Sequence, residues 1–83
     1  MKLKFLRSDL IVYLQSRGLS KKWQKAAILF EENIKHPSLN VELLEPRWRG
    51  IYSFRLDRKY RALFFITADG RAEVFAITNH YKK

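Results

Sequence analysis

The chain has 83 residues, 47% hydrophobic and 14% aromatic, enough apolar surface to pack a small core and too much for a disordered segment. It contains no cysteine, which excludes disulfides and thiolate metal sites and suits a reducing compartment. Seventeen Lys and Arg stand against eight Asp and Glu, and a net charge of +9 draws in nucleic acid, acidic protein or anionic membrane.

The opening Met1-Lys-Leu-Lys-Phe-Leu-Arg is basic but lacks the apolar run of about 7–15 residues that a signal peptide needs. No stretch approaches the roughly 20 apolar residues that span a bilayer. The expectation is a soluble, cytoplasmic, single domain over residues 1–83 that uses no membrane.

In chain order, Lys2–Leu6 alternates polar and apolar and predicts a short strand with Leu3 and Phe5 inward. Ser8 caps a helix of about ten residues that carries Leu10, Tyr13 and Leu14 on one face and stops at Gly18. Ser20 caps a longer helix. On it Trp23, Ala26, Ala27, Phe30 and Ile34 fall at i, i+3, i+4, i+7 and i+11, an apolar stripe meant for the core. Pro37 disfavours helical geometry at His36, so this helix is expected to end there, with His36 in a structural role at its C-terminus.

Val41–Leu44 reads as a short extended piece. Ile51–Leu56 alternates, with Tyr52, Phe54 and Leu56 on one face and Ile51, Ser53 and Arg55 on the other. Asp57-Arg58-Lys59 turns the chain, Tyr60–Thr67 returns, Ala68-Asp69-Gly70-Arg71 turns again, and Ala72–Asn79 is the last strand. The fold class is α+β: an N-terminal strand, a two-helix hairpin, then a three-stranded antiparallel meander.

Four residues can carry chemistry: Glu42 before the meander, Arg61 in its second strand, and His80 with Tyr81 after its third. Cleaving RNA through its own 2′-hydroxyl needs a base for that proton, positive charge at phosphorus and an acid for the leaving 5′ oxygen. A carboxylate or imidazole, an arginine, and a histidine or tyrosine can fill those places without a metal or any other cofactor. Around them lie cations suited to phosphate: Arg47, Arg49, Arg55, Arg58 and Lys59, with Lys82 and Lys83 at the end. Trp48, between two arginines, either anchors its loop or stacks on a base.

The stretch His36-Pro-Ser-Leu…Leu44-Glu-Pro…Gly50-Ile-Tyr-Ser-Phe-Arg…Asp57-Arg-Lys-Tyr-Arg-Ala62 resembles the RelE/ParE toxin superfamily of bacterial toxin–antitoxin systems. The pattern of site residues looks most like the YoeB-type ribosome-dependent mRNA interferases. That resemblance implies a RelE-like, microbial-ribonuclease-like fold and an endoribonuclease acting on mRNA at the ribosome. It assigns Glu42 as general base, Arg61 as stabiliser of the pentavalent phosphate, His80 as general acid and Tyr81 as the ring that orients the scissile nucleotide. It also implies a cognate antitoxin, and a toxin dimer or a toxin–antitoxin hetero-oligomer. Such toxins often carry a lysine shortly after the glutamate, where this chain has Glu45. Two further readings accompany it: a ParE-like binder that inhibits DNA gyrase without nuclease chemistry, and a family member that has lost its chemistry.

Overall fold

The computed structural model describes residues 1–79; positions 80–83 lie outside it. Helices α1 (Ser8–Ser16) and α2 (Ser20–Glu32) come first. Strands β1 (Glu42–Leu43), β2 (Tyr52–Arg55), β3 (Tyr60–Ile66) and β4 (Ala72–Asn79) follow, and form one antiparallel sheet in the order β1-β2-β3-β4. The α+β architecture expected from the sequence is therefore the one observed, and the extended piece at Val41–Leu44 supplies a fourth strand.

The core sits between α2 and one face of the sheet. Phe30 of α2, Phe54 of β2 and Phe64 of β3 are fully buried, and their ring centroids form a triangle with sides of 5.0, 5.2 and 5.8 Å. Tilted and edge-to-face pairs of this kind add about 0.5–1.5 kcal/mol each beyond the burial of their area. Trp23 extends the cluster against Phe54 at 5.9 Å, and Tyr52 stacks on Phe64 at 5.3 Å. Leu10 and Leu14 bring α1 onto the same core, as the helical spacing predicts.

Several local expectations change. The N-terminal strand is reduced to a single parallel bridge, Leu3 to Ala72, held by the Lys4 N–H to the Ala72 carbonyl and the Ala72 N–H to the Lys2 carbonyl. Pairing stops there because the chain must turn into α1. Leu6 then packs on the core in place of Phe5, which is fully exposed at 103%. Ser8 and Ser20 occupy the first helical positions; the capping positions are Arg7 and Leu19, without side-chain caps. Helix α2 ends at Glu32, four residues before His36. Asn33 is extended and its side-chain oxygen accepts the Lys35 N–H, an alternative to continuing the helix. His36 keeps a structural role, but a different one: its Nδ1 accepts the Ser38 N–H and caps the 3-10 turn Pro37–Leu39.

Both turns of the meander form where the sequence places them. At the first, one carboxylate oxygen of Asp57 accepts the backbone N–H groups of Lys59 and Tyr60, both at 2.8 Å, and the other accepts from Lys22 of α2 at 2.9 Å. Burial pushes the Asp57 carboxyl up, but Lys22 and the two N–H groups outweigh it and hold it below its ordinary pKa. A depressed folded-state pKa means stability that is present in full above the unfolded value of about 3.9 and is lost as pH falls through the folded one. Asp57→Ala is therefore expected to cost about 1–2 kcal/mol in urea unfolding at pH 7. The gap to the wild type should narrow below about pH 4; a gap independent of pH would refute this account of the turn.

Candidate active site

Strand alternation sorts the site residues before any distance is considered. The pairs Tyr52–Phe64 and Phe54–Ala62 face the helices. The intervening pairs Glu42–Ser53, Ser53–Leu63, Arg55–Arg61 and Arg61–Thr78 therefore share the opposite, outer face of the sheet. Glu42 and Arg61, nineteen residues apart by number, meet there across β2.

Arg61 is 4% exposed, the one charged side chain that is buried among the described residues. Its Nε–H donates to the Ser53 hydroxyl at 2.8 Å. Its Nη2 donates to the carbonyl oxygens of Asn40 and, at 3.3 Å, of Ser53. The carboxylate of Glu42 lies 4.0 Å from the same Nη2 and is 47% exposed, so one member of the pair is fixed and the other open to an incoming ligand. Burial lowers the pKa of the Arg61 guanidinium, Glu42 partly restores it and Arg55 lowers it further. An arginine stays protonated even so.

Asn40 joins the two. It adopts the left-handed conformation, φ 45° and ψ 57°, which asparagine tolerates better than most residues. Its carbonyl takes the Arg61 hydrogen bond while its side-chain amide donates to the other Glu42 oxygen at 3.4 Å. Sequence reasoning missed both Asn40 and Ser53. For Ser53 a signal existed: a lone small hydroxyl in a strand two positions from Arg55 and paired beside Arg61.

The remaining expected residues divide. Arg47, Trp48 and Arg49 form one exposed 3-10 turn ahead of Gly50, whose φ of 67° closes it. Trp48 is 85% exposed, which rules out the loop-anchor reading and leaves its ring available to solvent. Arg55 is exposed on the same face as Arg61; Arg58 and Lys59 are exposed in the β2–β3 turn. His80, Tyr81, Lys82 and Lys83 lie outside the described residues. Chemically, the described part offers an exposed carboxylate next to a rigidly held positive charge, on a face rimmed by arginines.

Neither a protein-family model nor a curated protein matches the sequence. Solved structures do match it closely in fold. A YoeB/ParE toxin from Agrobacterium tumefaciens superposes over 98% of this chain and 100% of its own, with a TM-score of 0.69 at 22% identity. YafQ from E. coli strain BL21(DE3) does so over 94% of this chain and 89% of its own, with a TM-score of 0.70 at 14% identity. The chain has the fold of these toxins. A YoeB dimer from Staphylococcus aureus, at TM-score 0.63 and 19% identity over 96% of this chain and 94% of its own, shares it too.

The support of Arg61 can be tested without any activity. Ser53→Ala leaves the buried Nε–H without its acceptor, which is expected to cost about 1–3 kcal/mol in urea unfolding. Ser53→Ala as stable as the wild type would show that the hydroxyl does not hold the guanidinium.

Proposed function

We propose that the chain is a toxin of a toxin–antitoxin pair, a single domain over residues 1–83, and that it cuts mRNA. The observation that carries this reading is the Glu42–Arg61 pair: an exposed carboxylate set against a buried, hydrogen-bonded guanidinium on an arginine-rimmed face. In the reaction, Glu42 takes the proton of a 2′-hydroxyl, the freed oxygen attacks the neighbouring phosphorus, and the bond from phosphorus to the 5′ oxygen breaks. Arg61 is the fixed positive charge beneath the phosphorane and Arg55 the exposed cation that meets it. A guanidinium already tied to Ser53 and Asn40 needs no reorganisation as charge builds, which is where such groups gain most. His80 returns a proton to the leaving oxygen, leaving a 2′,3′-cyclic phosphate, and Tyr81 orients the scissile nucleotide.

The fold of the YoeB/ParE and YafQ toxins and the resemblance around Glu42 and Arg61 support the toxin role. One YafQ structure is of a DinJ–YafQ toxin–antitoxin complex, and an acidic antitoxin is the partner that a +9 chain would bind. Placement of the mRNA by the ribosome, in the cytoplasm, would supply the orientation that so few titratable groups cannot. Arg47, Trp48, Arg49, Arg58, Lys59, Lys82 and Lys83 would then contact RNA, with an affinity that falls steeply with salt.

The test is induced expression of the wild type, Glu42→Gln and His80→Ala, followed by mapping of 5′ ends on cellular mRNA. New in-frame ends are expected from the wild type alone, with cleavage reduced by about 10²–10⁴-fold in either variant. Growth arrest without new ends would overturn the nuclease reading in favour of a binding poison such as a gyrase inhibitor. Undiminished cleavage in both variants would overturn the assignment of these residues.

A further inference from the structure

The outer face of the sheet carries a second feature, one step along the strands from Arg61. Leu63 follows Arg61 by two residues on β3, about 7 Å further along the same face. Leu44 and Ile51, joined by the Leu44 N–H to the Ile51 carbonyl at 2.8 Å, extend that row just beyond the end of β1 and the start of β2. Between these three and Phe75 lies a cleft of about 240 Å3. The Phe75 ring is braced by Phe65 at 5.8 Å.

The walls are apolar apart from two charged residues, Glu45 and Arg49, both solvent-exposed. Among the described residues neither side chain is tied by an ion pair or hydrogen bond, to the other or to anything else. A site smaller than the roughly 300 Å3 at which drug-sized pockets begin takes one ring system, with an aromatic ring to lie on and two opposite charges to satisfy.

We propose that this cleft is a base-selecting subsite that takes guanine from the nucleotide beside the cut phosphate, an inference that rests on the ribonuclease reading above. Guanine alone among the four bases presents two adjacent N–H donors, N1–H and the N2 amino group, to a carboxylate such as Glu45. Its O6 and N7 are the acceptor pair that a guanidinium such as Arg49 grips. Adenine and cytosine set an acceptor beside their amino group, and uracil flanks its one N–H with carbonyls. The base would stack against Phe75, as bases splayed from single strands do on aromatic side chains. The spacing agrees: a phosphate over Arg61 leaves its base to reach one strand step, the distance to Leu63.

The experiment is titration of the ¹⁵N-labelled full chain with GMP, AMP, CMP, UMP and ribose 5-phosphate, followed by amide shifts. GMP is expected to move the amides of Glu45, Ile51, Leu63 and Phe75 and to bind at least about tenfold more tightly than the other nucleotides. Glu45→Gln, a change at an exposed position, is expected to keep the fold and reduce that preference to less than about threefold. Equal affinity for all four nucleotides, equal shifts from ribose 5-phosphate, or shifts that spare the cleft would each overturn the proposal. Because binding is read without cleavage, the two readings fail separately. A chain that selects GMP but cuts no RNA keeps the subsite and loses the nuclease, and one that cuts without base preference does the reverse.

Discussion

The packing of Phe30 against Phe54 and Phe64 is the contact on which the other positions depend. It clamps α2 to the two central strands, and with Phe54 and Phe64 committed inward the pleat leaves no freedom for their neighbours. Ser53, Arg55, Arg61 and Leu63 must face outward, and β1 delivers Glu42 beside them. A one-residue slip of β3 would send Arg61 into the aromatic cluster and Phe64 to solvent. The site is thus a by-product of core register, which is why its residues need share no local motif.

Burying Arg61 is costly in itself, since a charge taken out of water repays its desolvation only through well-made hydrogen bonds. Here the repayment comes from Ser53 and from two backbone carbonyls, with Glu42 at the edge of contact. Using carbonyls rather than a buried carboxylate matters: they satisfy the N–H groups without cancelling the charge. The field of the guanidinium therefore still extends to the outer face, where a phosphate would feel it. A doubly salt-bridged arginine at the same place would have been neutral toward an anion.

Much of this was legible in the chain. The alternation of Ile51–Leu56 with the Asp57 and Asp69-Gly70 turns specified the meander, and the stripe from Trp23 to Phe30 specified which side of α2 meets it. What escaped was set by contacts distant in sequence. Phe5 alternates correctly with Leu3, yet one bridge to Ala72 is too little pairing to hold the alternation past Lys4. Helix α2 stops at Asn33 through a local side-chain bond that outcompetes the helix, well before the proline that marks a stop by pattern alone. Arg61 was expected at the site but not buried there, because nothing near it in sequence reveals that the segment through Asn40 crosses above it. The Glu42–Arg61 contact was foreseen as chemistry; its bracket, Asn40 and Ser53, was not.

The two halves of that contact rest on very different amounts of sheet. Arg61 belongs to a seven-residue strand paired on both sides, whereas Glu42 sits on a two-residue strand at the sheet's edge. Segments with so little pairing open locally at a fraction of the free energy of global unfolding. Amide hydrogens around Glu42 would exchange in a low-energy opening, while those of β3 would exchange only when the whole molecule unfolds. On warming, the carboxylate would leave the guanidinium first, so the arrangement at the site would dissolve while the aromatic core still gave a native signal.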